Sequence, residues 1–161
     1  MLARLNSVTL EGIEGIACEV EVDIARGGFE KSVIVGLPDT AVKESVERVR
    51  SAIINSGHKY PKTQAIVNVA PADVKKAGPA VESPIPLGLR PGQVAIVGQG
   101  RDDLVVVGGL ALDGRVRPVN GVLSMAMTAA ANGFKCMIVP IGNSKEAAVV
   151  SDVDVFGVGS L

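Results

Sequence analysis

The chain has 161 residues and a formal net charge of −1, and 47% of its side chains are hydrophobic but only 2% aromatic. Such a length makes one domain with a buried core, which here must be built from Val, Ile, Leu and Ala. The near-zero charge excludes a polycationic nucleic-acid binder, and no apolar run approaches the length of a membrane span. The opening MLARLNSVTLEGIEG has no apolar leader core, so a cytoplasmic protein is expected.

Alternation of apolar and polar residues predicts strands at 3–10 and 16–24, joined around Gly12–Gly15, and a third at Lys31–Gly36. Pro38-Asp39-Thr40 then opens a helix, with Asp39 or Thr40 as N-cap and Gly57 as its stop. Val42, Val46, Val49 and Ile53 make its apolar stripe, and Glu44 and Arg48 stand at the spacing of a favourable helical ion pair. A fourth strand follows at 62–69. Over 81–103, Pro84, Pro86 and Arg90-Pro91-Gly92 break regular structure, which predicts a loop or one irregular turn, then a strand at Val94–Val97. Asp113-Gly114 is a strong turn signal for a hairpin of Leu104–Leu112 with Arg115–Val119. An almost wholly apolar helix at Val122–Asn132, ended by Gly133, implies burial on several sides. A strand at Lys135–Pro140, a short helix at Ser144–Val150 capped by Asn143 or Ser144, and a strand at Val153–Val158 complete the chain. The expected class is α+β, or mixed α/β: one domain over 1–161, a mixed sheet with helices packed on it.

Chemistry-bearing motifs are scarce. There is no GxxxxGK[ST] phosphate loop, and neither Gly98-Gln99-Gly100 nor Gly108-Gly109 has the Lys-Ser/Thr of a nucleotide site, so ATP hydrolysis by this chain alone is not expected. His58 follows a helix stop with no nominated carboxylate or nucleophile, which reads as a surface histidine near a helix end. Cys18 and Cys136, with one histidine, form no recognisable metal set, and two reduced thiols are the plainer reading. Asp73, Asp102, Asp103, Asp113, Asp152 and Asp154 sit in turn-like contexts where Asp serves the backbone. One patch has a sign: between residues 41 and 76, Lys43, Arg48, Arg50, Lys59, Lys62, Lys75 and Lys76 outnumber Glu44, Glu47 and Asp73. Such a patch meets phosphates or an acidic partner, or it is simply a solvated helix face.

Four contiguous stretches, VGLPDTAVKESVERVRSAIINSG, VNVAPADVKKAGPA, GGLALDGRVRPVNGVL and GFKCMIVP, carry a resemblance. Together they resemble the N-terminal domain of the ComM/YifB family of magnesium-chelatase-like AAA+ ATPases, over the whole of 1–161. The resemblance implies the fold of the Lon proteolytic domain, shared with a ribosomal-protein domain and the C-terminal domain of RadA. It also implies an ATPase module in cis, which would use ATP and Mg, and a homo-oligomeric ring; one branch of the family is tied to natural transformation and DNA branch migration. No cofactor is implied for this chain itself. In Lon-type proteases a Ser follows the Gly-Pro pair and works with a Lys on the later helix; the matching positions here are Ala80 and, at or near it, Met125. Ala has no nucleophilic oxygen and Met accepts no proton. The family's apolar helix after GPA is also interrupted here, as VESPIPLGLRPGQ.

The reading that follows is a non-catalytic scaffold domain, with Lys43, Arg48, Arg50, Lys75 and Lys76 as candidates for DNA or partner contact and no membrane partner. Two alternatives stay open: a residual serine peptidase using Ser83, and a module that binds only protein.

Overall fold

A computed structural model describes residues 2–29, 31–36, 40–74, 80–89 and 102–161. The alternating N-terminal sequence forms β1 (Leu2–Glu11) and β2 (Glu14–Ile24), paired antiparallel from Leu2 opposite Asp23 to Glu11 opposite Glu14. Next come β3 (Lys31–Gly36), α1 (Thr40–Asn55) and β4 (Gln64–Ala70), a strand–helix–strand unit whose two strands lie parallel. The rest comprises α2 (Pro84–Leu89), β5 (Leu104–Val106), β6 (Gly109–Leu110), β7 (Val116–Arg117), α3 (Val122–Ala131), β8 (Cys136–Pro140), a 3-10 turn at Ile141–Asn143, α4 (Ser144–Ala147) and β9 (Asp154–Val158). Seven strands make one mixed sheet in the order β3-β4-β2-β1-β5-β8-β9, and β6 and β7 form a separate ribbon. The α+β class expected from the sequence is the class observed.

Successive strand residues face opposite sides, so the sheet carries apolar surface on both faces. On one, α3 packs against Val8, Val105, Met137 and Val139. α1 and α2 cover Val20, Val22, Val67 and Val69 through Val49, Ile53, Ile85 and Leu89. Val46, Val49 and Ile53 of the α1 stripe are buried as their spacing predicts. Gly57 ends the helix at φ +79, its N–H donating to the Ile54 carbonyl and that of His58 to Ile53.

Several expectations need correction. Residues 84–89 are helical rather than an irregular loop, and all but Leu87 are buried. Pro84 occupies the first helical position and Pro86 still lies in the first turn, where the missing N–H groups have no intrahelical carbonyl to meet. The interrupted apolar sequence therefore does not abolish the helix. The strand expected at Val94–Val97 and the Gly98-Gln99-Gly100 cluster lie outside the described residues.

The single strand expected over Leu104–Leu112 is broken at Gly108, which has φ +150. Residues before it pair with β1 and β8, whereas those after it pair with β7. α3 buries one stripe, Val122, Met125, Ala126 and Ala129, and leaves Leu123 and Met127 exposed, so its apolar character does not mean burial on several sides. α4 stops at Ala147, and Asn143 does not cap it. Its side chain instead accepts from the Val119 N–H and donates to the Val119 carbonyl, both at 3.0 Å, which satisfies the backbone just before α3.

Candidate functional site

Ala80 and Met125, the positions matching a protease Ser and Lys, lie in the same apolar cluster with Val8, Val105, Val107 and Met137. Both are buried, and the Ala80 carbonyl accepts the Gly108 N–H at 2.9 Å. These positions serve packing and chain direction. Ser83 is also buried, and its Oγ has no hydrogen-bond partner among the described residues. Its N–H donates to the Gly108 carbonyl at 3.1 Å, fixing it beside the kink. The Ser124 backbone carbonyl accepts from the Thr128 hydroxyl at 2.9 Å.

Two residues after Ala80, Glu82 is a carboxylate exposed by only 2%. It accepts from the Ser45 hydroxyl at 2.8 Å, from the Leu110 N–H at 3.0 Å, and from the Arg48 guanidinium. A buried carboxylate is tolerated only when its charge and lone pairs are met, and three groups from two elements, α1 and β6, meet them here. The network ties α1 to the α2 segment and to β6. Arg48 thus pairs with Glu82, at long range in the sequence, where helical spacing had offered Glu44. Beside it a cavity of about 330 Å³ opens between Arg48, Leu110, Leu112, Arg117 and Pro118.

Arg50, on the same helix, goes elsewhere. Its guanidinium lies over the ring of Tyr60, 5.8 Å from the centroid, and the Tyr60 hydroxyl shares a 2.6 Å hydrogen bond with Ser32 on β3. A groove of about 660 Å³ runs past this pair. Arg50, His58, Lys59 and Lys62 line it, over a floor of Ile54, Tyr60 and Pro61. His58 is half-buried within this groove rather than standing free on the surface. Lys43 belongs to α1, but its side chain lies outside the described residues, as do Lys75 and Lys76 altogether.

The remaining ionisable groups follow local contacts. Asn68 and then Arg4 hold the Glu21 carboxyl below its ordinary range through hydrogen bonds, and Asp113 is lowered chiefly by the Arg115 backbone N–H. Among the described residues no three His, Cys, Asp or Glu side chains gather as a metal site, and neither Cys18 nor Cys136 is in a disulfide. No helix among them is long and apolar enough to cross a membrane.

Sequence reasoning about charge missed Glu82 and the groove floor. Glu82 had a signal, a lone carboxylate within Val81-Glu82-Ser83-Pro84-Ile85, where charge is costly unless paired. Ile54 and Pro61 carry no such mark.

The family described as subunit ChlI of Mg-chelatase matches residues 20–143. Among individual proteins, YifB of Escherichia coli is 39% identical over 140 residues, covering 87% of this chain and 27% of its own. An uncharacterized protein of Mycobacterium tuberculosis is 36% identical over 160 residues, 99% of this chain and 32% of its own. Competence protein ComM of Haemophilus influenzae is 35% identical over 157 residues, 96% of this chain and 30% of its own. The chain thus spans about a third of the length of the curated relatives it matches. Both the family match and this identity along nearly the whole chain show that it belongs to the magnesium-chelatase-like ComM/YifB family, as the family's N-terminal domain.

Proposed function

We propose that the chain is a non-catalytic interaction domain, serving ring assembly and DNA processing beside an ATPase module in cis. The observation that carries this reading is the packing of Ala80 and Met125 into one apolar cluster. Where a peptidase of this resemblance would open a dyad to substrate, this chain fills the space with an alanine methyl and a thioether. Neither group takes or gives a proton, so acyl transfer at that place has no nucleophile and no base. Ser83 is a poor substitute because its hydroxyl is buried under the Gly108 kink.

In this reading ATP and Mg belong to the module outside these 161 residues. The domain's own contribution is surface: cations at the end of α1 for DNA, and a rigid sheet for neighbouring subunits. A fluorophosphonate serine probe tests the non-catalytic part. No labelling and no peptide hydrolysis are expected, whereas stoichiometric labelling at Ser83 would establish the peptidase alternative instead.

A further inference from the structure

We infer that residues 159–161 are a strap through which the part of the protein following this domain opens or closes the Arg48–Glu82 cavity. The inference rests on the reading that a further module follows in cis, and it gives that module a handle on the site described above. After β9 the chain leaves the sheet and runs antiparallel beside the turn of the β6–β7 ribbon, with Ser160 opposite Arg115. The Val116 N–H donates to the Gly159 carbonyl at 2.8 Å, and the Leu161 N–H donates to the Gly114 carbonyl at 3.0 Å. The Leu161 side chain packs against the cluster that holds Val49, Ile53 and Leu110. This is the family's N-terminal domain, matching about a third of its relatives' length, so the corresponding residues of those relatives lead into the rest of the protein.

β6 and β7 have two residues each, and a two-stranded ribbon that short has little stability of its own. Two supports hold it. One is α1, where Asn55 Nδ2 donates to the Leu112 carbonyl at 2.7 Å and a Cβ on Gly114 would collide with the Ser56 side chain. The other is the strap, which lies along the ribbon as a third strand. The ribbon in turn makes one wall of the cavity, through Leu110, Leu112 and Arg117, opposite Arg48 and Glu82. Its Leu110 N–H is also one of the three donors that satisfy the buried Glu82 carboxylate, beside Ser45 and Arg48. Releasing the strap therefore loosens a wall of the cavity and a donor to its carboxylate together. The seven-stranded sheet keeps its own pairing, because β6 and β7 are not part of it.

The test is amide hydrogen exchange, followed by NMR, on the full chain and on Leu161→Pro, which removes the N–H donated to Gly114. Exchange at Val116 and at Leu110 is expected to quicken by at least about tenfold, with Val20 and Val67 in the sheet unchanged. Coupling runs both ways, because linkage is reciprocal. Glu82→Gln, which keeps the shape and drops the charge, should therefore quicken exchange at Leu161 by about fivefold or more. A folded protein fused directly after Leu161 should quicken Leu110, and the same fusion behind a spacer of about 15 Gly and Ser residues should not. If Val116 responds to Leu161→Pro but Leu110 does not, the strap ends at the ribbon and the inference is wrong. If Val20 and Val67 quicken with them, the tail belongs to the global fold and is no strap. An unmoved Leu161 amide in Glu82→Gln, or equal Leu110 rates in the two fusions, would also overturn it. Labelling of Ser83 by the serine probe would sink the non-catalytic reading and leave these exchange rates as they are, so the two fail separately.

Discussion

Arg48 and Arg50 stand two residues apart on one helix and do opposite things. Arg48 is committed to Glu82, a buried carboxylate that also holds Ser45 and the Leu110 N–H. Arg50 lies over Tyr60 at the rim of an open cationic groove. Two residues along a helix is about 200° around its axis, so one side chain meets the next layer of the fold while the other reaches the groove. A count of basic residues treats them alike. Their partners divide them into a cation paired with a buried carboxylate and one lying over an aromatic ring at a groove rim.

The largest effect should come from breaking the buried side of this contrast. Glu82→Ala strands the Ser45 hydroxyl and the Leu110 N–H and leaves Arg48 without its carboxylate, which should cost about 3–5 kcal/mol in urea denaturation. Arg48→Ala should cost about 2–3 kcal/mol, less than a fully buried pair because its side chain is partly solvated. Arg50→Ala should stay below about 1 kcal/mol, the range of an exposed cation–π contact. Replacing Arg48 and Glu82 together by Met and Leu should recover only part of the loss, since Ser45 and Leu110 still lack an acceptor. If the two arginine variants melted alike, the division would be wrong.

How much of this was legible follows from the range of each contact. Strands β1 and β2, the α1 stripe and its stop at Gly57 are local patterns, and they read directly from periodicity and a turn residue. The break at Gly108 was not legible, because it depends on backbone partners at Ala80 and Ser83. The burial of Pro84–Leu89 likewise depends on what it packs against. Within the site, the emptied positions at Ala80 and Met125 were visible through family resemblance. The fate of Arg48 was not, because its carboxylate lies 34 residues away. Charge patterning within a helix reaches only three or four residues, so it offered Glu44 instead.

A smaller effect sharpens the contrast through α2, which begins just beyond Glu82. Gly88 lies so close to β2 that an added Cβ would stand 2.6 Å from Val22 Cγ2 and 3.4 Å from Leu5 Cδ1. Gly88→Ala should therefore push α2 off the sheet at a cost of about 1–3 kcal/mol. The disturbance should reach Glu82 and spare the Arg50 groove. Tyr60 is the chain's one tyrosine, and there is no tryptophan, so intrinsic fluorescence reports on the groove alone. A lowered melting temperature with unchanged native tyrosine emission is expected. Altered emission would mean that the two regions are mechanically one.

The smallest effect concerns a carboxylate that resembles Glu82 in partners but not in burial. Glu21 accepts from Asn68 at 2.8 Å and from Arg4 at 3.1 Å across the exposed surface of β1, β2 and β4. Those contacts hold its folded pKa below the ordinary value, which fixes the sign of its pH dependence. The unfolded chain binds the proton first as pH falls, so the contribution is full above the ordinary carboxylate range and disappears as pH drops through the lowered folded value. The stability of the parent minus that of Glu21→Gln should therefore shrink between about pH 6 and about pH 3, by less than about 1 kcal/mol. A difference that instead grew on acidification would mean that Glu21 is stabilised in its protonated form. The exposed pair would then obey a different rule from the one its hydrogen bonds imply, and burial alone would no longer explain why Glu82 matters more.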